Sequence, residues 1–373
     1  MKRRNFIGTA AIATAGTATF GACSPRPQPP EETTPRVSTA EPAIRWRMAT
    51  SWPKSLDIVF GSSDLICRRV AAMTGGKFTI VPYGAGEIVP GLEVMKAVQA
   101  ETVECGHTAS YYYVNEHPAL AFATTVPFGL NAEQQFAWLY YGGGLEAIRD
   151  IYADFNLINF PAGNTGAQMG GWFRRQVNSP DDLKGLKMRI PGLGGKVMSR
   201  LGVDVQVLAG GEIFPALERG DIDAAEWVGP YEDERLGLNR VAPYYYSPGW
   251  WEPGTTYELQ VNRRQWEILP REYQEILQLA TAEATTRMLA QYNTANGEAL
   301  ERMAAGGTQL LSYSESILNA ARDAAFALYE EKARGNEAFR EIYDRWAAFR
   351  TKVYRWHRVN GFSFDRFAFR EVR

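Results

Sequence analysis

The sequence predicts an α/β protein of two lobes, each a central β-sheet flanked by helices, followed by long C-terminal helices. Three observations carry this. From Ile44 onward, short apolar runs alternate with amphipathic stretches, the pattern of strands and helices taking turns. With an N-terminal leader and a proline-rich stretch set aside, roughly 330 residues are left, more than one hydrophobic core ordinarily organises. Residues 265–302 and 315–356 then hold a helical period far longer than any earlier segment does.

The leader sets the compartment. Met1-Lys2-Arg3-Arg4 precedes an almost uncharged run from Thr9 to Ala22. A bilayer span needs about 20 consecutive apolar residues. This run is shorter and rich in Gly and Thr, so residues 1–22 read as a signal peptide. Arg3-Arg4 ahead of Asn5-Phe6-Ile7 resembles a twin-arginine export signal. Phe20-Gly21-Ala22-Cys23 resembles a lipobox, with Phe20 where Leu is usual, and marks Cys23 for lipid attachment. Residues 23–43, with their prolines and charges, have nothing to bury and read as a disordered tether. A periplasmic location follows.

In the first lobe, Trp46 to Thr50, Leu56 to Met73 and Phe78 to Pro82 read as strand, helix and strand. Leu92, Met95 and Val98 then share a helical face ahead of a strand over Val103 to His107. Such alternation predicts parallel sheets. A second series runs through Gly170 to Arg174, Leu186 to Ile190, a helix over Gly195 to Leu201, Val203 to Leu208, and Ala224 to Val228. Lobe 1 is assigned to 44–165 with 254–300 returning to it, lobe 2 to 166–253, and the C-terminal helices to 301–373. On the first long helix Leu277, Ala280, Ala284 and Met288 mark one face, suited to buttress both lobes or a partner subunit.

Composition excludes several functions. Forty Lys plus Arg against 42 Asp plus Glu, with no long blocks of either sign, offer nucleic acid no foothold. Beyond Cys23 only Cys67 and Cys105 exist, enough for one bond or two buried thiols but for no disulfide framework. His107, His117 and His357 share no metal spacing with them. No phosphate-loop, serine-hydrolase, zinc-protease or dinucleotide fingerprint is present, and Gly142-Gly143-Gly144, lacking a following lysine, reads as a helix break.

Four segments carry a resemblance: Gly163 to Phe173, Asp181-Asp182-Leu183-Lys184-Gly185-Leu186-Lys187-Met188-Arg189-Ile190-Pro191-Gly192, Ala225 to Tyr231, and Pro248 to Gly254. In this order they resemble the DctP-like periplasmic solute-binding proteins of tripartite ATP-independent (TRAP) transporters. Similarity is closest to the branch that binds 2-oxo acids or lactate with a metal ion. The resemblance runs from about Trp46 to Trp356 and implies the two-lobed periplasmic binding protein fold. It also implies a non-enzymatic receptor with membrane permease subunits as partners, and a homodimer through the C-terminal helices.

The residues support that chemistry themselves. Arg189 lies at a strand end before Pro191-Gly192, where a planar guanidinium can grip a carboxylate with two parallel hydrogen bonds. Glu226 and Glu252 each stand beside tryptophan, and carboxylates in such surroundings are costly to bury unless a cation compensates them. With the Trp227 carbonyl, Gln168 and the ligand's oxygens they would form an all-oxygen shell for a hard cation, calcium or sodium. Two glutamates, a monoanion and Arg189 sum to −2, which favours calcium slightly. A plainer alternative pairs the glutamates with Arg235 or Arg240. Gln168, Arg189, Trp227, Tyr111 and Asn164 are assigned to the substrate, and Glu226, Trp227, Glu252 and Gln168 to the metal. On an extended chain Tyr111 and Tyr113 would share a face opposite Tyr112.

The expected ligand is a small 2-oxo or 2-hydroxy monocarboxylate of the pyruvate or lactate type, held by hinge closure between lobes that cross near 164–166 and 253–255. The alternative is an exported enzyme that uses the same ion as a Lewis acid. It would need a general base, and the site segments offer no His and no Lys beyond Lys184 and Lys187.

Overall fold

The structure is a computed structural model and describes residues 42–370. The residues read as a signal peptide, a twin-arginine pair and a lipobox with Cys23, and all but the last two of those read as a tether, lie outside the described residues.

The first half of the chain runs β1 (Ile44–Thr50), α1 (Val59–Met73), β2 (Phe78–Tyr83), α2 (Val94–Gln99) and β3 (Cys105–Thr108). It continues through α3 (Ala121–Thr124), α4 (Ala132–Tyr141), α5 (Gly144–Asp154) and β4 (Leu157–Asn164). Next come β5 (Trp172–Phe173), β6 (Lys187–Arg189), α6 (Gly192–Arg200), β7 (Asp204–Gln206), α7 (Gly210–Arg219), β8 (Ala224–Ala225), α8 (Pro230–Leu236) and β9 (Tyr244–Ser247). After β10 (Thr256–Asn262) the chain is helical except for one strand: α9 (Arg263–Glu267), α10 (Arg271–Ala305), β11 (Gln309–Ser312), α11 (Glu315–Gly335), α12 (Glu337–Val359) and α13 (Gly361–Ala368).

Two sheets result, with strand orders β2-β1-β3-β10-β4 and β11-β9-β5-β8-β6-β7. They organise two lobes. Neither sheet is purely parallel, contrary to the expectation from strand and helix alternation. In the first, β10 runs antiparallel to β3 and β4. In the second, β5 runs antiparallel to β8 and β9. The reason is the path of the chain. It leaves the first lobe along β4 and returns along β10, so the two crossing strands lie side by side in opposite directions.

At the crossing, Thr165 N–H donates to the Thr255 carbonyl at 3.0 Å. Asn164 stitches the two strands: its amide donates to Thr256 Oγ1 at 3.0 Å and Gly254 O at 3.4 Å, and its Oδ1 accepts from Gly166 N–H at 2.8 Å. Gly166 has φ +72°, a conformation open to glycine at little cost.

Both long helical stretches break where local chemistry demands. Residue 270 is proline, and it separates α9 from α10. Asn336 caps α12 by accepting from Phe339 N–H at 2.8 Å, which ends α11 one residue earlier. Between the two long helical stretches, in the region assigned to the C-terminal helices, the chain also supplies β11, which pairs with β9. At 35 residues α10 is roughly 50 Å long. It packs on α1 and β4 in the first lobe and on α8 in the second. α11 packs on α6 and α12 on α5, so the C-terminal helices buttress both lobes. Cys67 and Cys105 are buried free thiols. No helix of the described residues is long and apolar enough to cross a membrane.

Candidate functional site

The predicted residues converge at the carboxyl end of β6. Arg189 is the last residue of that strand and is 1% exposed. Its Nε donates to the Leu208 carbonyl at 3.1 Å and its Nη1 to the Glu226 carbonyl at 2.9 Å and to Glu226 Oε1. The guanidinium carbon stands 5.3 Å from the Trp227 ring centre. Register explains the meeting: β6 pairs with β8 so that Arg189 faces Ala225, and Glu226 N–H returns to the Arg189 carbonyl at 3.2 Å.

Glu252 enters from the other side. Its Oε2 accepts from Thr255 Oγ1 at 2.8 Å, and its carbonyl accepts from Gln168 N–H at 3.1 Å. The Gln168 amide donates to Thr165 Oγ1 at 3.3 Å. Gly249 makes this junction possible, because a Cβ there would stand 2.5 Å from the Gln168 carbonyl oxygen.

The tyrosines correct the expectation of an extended segment. Residues 110–113 form a single 3₁₀ turn, so the three rings do not alternate. Tyr111 lies near Glu252, and Tyr112 lies near Arg189. Tyr113 turns into the core, where its hydroxyl meets Thr108 Oγ1 at 2.9 Å and accepts from Met95 N–H at 3.1 Å. A cavity of about 380 Å³ opens between the lobes against Tyr111, Tyr112, Ile190 and Gly192. Asn164 is spent differently from its assignment: its amide is committed to the crossing strands.

Buried polar atoms left without a partner mark what the site can hold. Arg189 Nη2 is an unused donor, and Glu226 Oε2 and Gln168 Oε1 are unused acceptors. Each such atom costs on the order of 1–3 kcal/mol unless a ligand satisfies it. The donor suits an anion and the two acceptors suit a cation. Among the described residues no three His, Cys, Asp or Glu side chains are grouped to hold a metal. A cation would therefore draw on the two glutamates, the Gln168 oxygen, the Trp227 carbonyl and a bound anion, and this all-oxygen set fits a hard ion.

Electrostatics agree. Burial raises the Glu226 carboxyl well above its ordinary range, Arg189 pulls it back, and Glu252 and Asp233 raise it further. Burial likewise pushes Glu252 up to about 7, against Thr255, Arg189 and Tyr111, which lower it. Burial works against the Arg189 charge, and Glu226 leads the groups that outweigh it and keep the guanidinium protonated. Arg235 and Arg240, the alternative partners for the glutamates, are engaged elsewhere. Arg235 pairs with Asp57 at 3.1 Å, and Arg240 lies over the Phe214 ring at 4.8 Å.

Thr255, Thr165 and Asp233 belong to the site's surroundings and were not singled out in the sequence. Thr255 had a visible signal, its position three residues after Glu252. Asp233 had none, since its partners come from three separate segments.

A model of the family described as bacterial extracellular solute-binding protein, family 7, matches residues 48–336. A Nostoc protein named as a monocarboxylate 2-oxoacid-binding periplasmic protein is 60% identical over 368 residues, covering 99% of each chain. A Bordetella bronchiseptica TRAP solute-binding protein, a dimer with copurified calcium and picolinate, is 46% identical over 89% of this chain and 99% of its own, with TM-score 0.88. Two further TRAP solute-binding proteins each share 37% identity over 86% of this chain and 98% of theirs, with TM-score 0.83. One, from Colwellia psychrerythraea, carries calcium and pyruvate, and the other, from Pseudoalteromonas atlantica, carries sodium and pyruvate.

Proposed function

The chain belongs to the bacterial extracellular solute-binding proteins of family 7, and from that premise we propose that it captures a small 2-oxo or 2-hydroxy monocarboxylate together with a calcium or sodium ion. It is a periplasmic receptor of a TRAP transporter and not an enzyme, handing its ligand to membrane subunits encoded elsewhere. The observation that carries the ligand assignment is the buried junction of one unused guanidinium donor with two unused acceptor oxygens, Arg189 Nη2 with Glu226 Oε2 and Gln168 Oε1.

In this reading Arg189 holds the ligand carboxylate, with Tyr111 and the Trp227 ring as walls. Glu226, Glu252, Gln168 and the Trp227 carbonyl hold the cation, which supplies a positive centre for the ligand's second oxygen. A fatty acid lacks that oxygen and is rejected. Asn164, assigned to the ligand from sequence, acts instead on the hinge. Lobe 1 (44–165 and 254–300) and lobe 2 (166–253) close over the ligand by bending where β4 and β10 cross. Calorimetry tests this. Pyruvate is expected to bind in the presence of calcium or sodium and to lose at least about tenfold in affinity after chelation and desalting. Undiminished binding by ion-free protein would sink the cation assignment.

The reading extends to export and assembly. The leader routes the chain through the twin-arginine system, with Cys23 as the lipid anchor. The C-terminal helices form a homodimer, for which Trp356, Val359, Phe362, Phe364, Phe367 and Phe369 supply an exposed apolar face. Light scattering on protein lacking the leader and tether is expected to give the dimer mass, and deletion of residues 361–373 the monomer mass. A monomer in the undeleted protein overturns the assembly.

A further inference from the structure

The Asp233 carboxylate is 1% exposed and accepts four hydrogen bonds. Its Oδ2 accepts from Trp172 Nε1 and the Tyr245 hydroxyl, each at 2.8 Å. Its Oδ1 accepts from the backbone amides of Val228 and Gly229, each at 3.1 Å. Those two amides immediately follow Glu226 and Trp227.

The geometry of the peptide unit gives this grip a consequence. A trans peptide is planar, with its N–H and C=O on opposite sides. Drawing the Val228 N–H onto Asp233 therefore turns the Trp227 carbonyl the other way, and no described group donates to that carbonyl. The far side of Asp233 is anchored just as firmly, because the rings of Trp172 and Tyr245 stack at 3.9 Å and 13° on neighbouring strands β5 and β9. Glu226 and Trp227 are thus held between the Arg189 carbonyl before them and Asp233 behind them.

We propose that Asp233 is the positioning residue of the cation site: by holding the Val228 and Gly229 amides it aims the Trp227 carbonyl and sets Glu226, without touching ion or ligand. This rests on the cation reading of the preceding subsection. Its chemistry is that of outer residues that orient metal ligands, whose loss typically costs 10–100-fold in metal affinity. The Asp233 charge also acts at Glu226, where it favours the protonated form in the same direction as burial and Glu252, and less strongly than either.

The test is a calcium titration by calorimetry at saturating pyruvate, read beside the melting temperature of ion-free protein. Asp233→Ala is expected to weaken calcium about 10–100-fold. Trp172→Phe removes one donor but leaves both amides held, and its calcium affinity is expected to stay within about twofold of the unaltered protein even if it melts earlier, the amide bonds being intact. Asp233→Asn keeps an acceptor oxygen for the amides without its charge and is expected to lose roughly threefold. Should Asp233→Ala not fold, Asp233→Asn against Trp172→Phe makes the same comparison. The proposal is overturned if Asp233→Ala binds calcium like the unaltered protein, or if all variants lose calcium affinity in step with melting temperature. Absence of both calcium and sodium binding by the unaltered protein removes the cation reading itself, and this proposal with it.

Discussion

Replacing Arg189 with alanine is expected to lower pyruvate affinity by two orders of magnitude or more. Truncating one member of a buried, hydrogen-bonded charge pair costs about 2–5 kcal/mol, and each 1.4 kcal/mol is tenfold in affinity. Here the loss is doubled in kind. The ligand carboxylate loses Nη2, the donor that no protein group uses, and Glu226 loses its counter-charge. Arg189→Lys is not expected to rescue, because a single ammonium cannot hold the Leu208 and Glu226 carbonyls and also present a donor to the ligand as the guanidinium fork does. The same variant carries a second expectation of opposite sign. Without the positive charge beside Glu226, calcium alone should bind at least as tightly as before. Calorimetry with pyruvate and with calcium separately reads both. Pyruvate affinity within about threefold of the unaltered protein, where about a hundredfold loss is expected, would remove Arg189 from the carboxylate site.

Cation binding is expected to strengthen as pH rises through 7. Glu252 sits at about 7 because burial disfavours its charge, with Thr255, Arg189 and Tyr111 the groups that favour it. Glu226 is raised in the same direction. A cation binds the carboxylate form, so below pH 7 it must displace a proton, and affinity changes by up to about tenfold per pH unit per proton displaced. Calcium titrations at pH 6 in buffers of different ionisation enthalpy are expected to show proton release, and at pH 8 less, since Glu252 has by then given up its proton. Equal release at both values would contradict the assignment.

Stability of the ion-free protein should move the other way. A carboxyl raised from 4.5 to about 7 on folding adds stability below its unfolded value, and that stability is lost as pH climbs to 7. Glu232 and Glu258, both raised by burial to about 7, and Asp233, raised to about 6, add to this melting trend. Proton release on calcium binding separates Glu226 and Glu252 from them, because only these two are assigned to the ion.

Much of this molecule was legible in the chain. The strands and helices up to β3 follow the apolar periods of 2 and 3.6. Arg189 at the end of a short strand before Pro191-Gly192, and two glutamates beside tryptophans, gave the reading of a carboxylate and a cation site that we propose. These signals lie within a few residues of one another, and local pattern and propensity determine them. The tertiary structure decided the rest. Glu226 pairs with Arg189, 37 residues away, and not with Arg235 or Arg240, because β6 and β8 become neighbours. β10 runs antiparallel because the chain must come back where it crossed. Tyr111 and Tyr112 face the site while Tyr113 enters the core, because a 3₁₀ turn replaces the extended run. Asn164 serves the crossing strands, and Asp233 gathers Trp172, Val228, Gly229 and Tyr245 at one carboxylate. Periodicity states which face of an element is buried, but not which other element it is buried against. Each of these partners was chosen by strand order and chain crossing, which exist only once the sheets have formed.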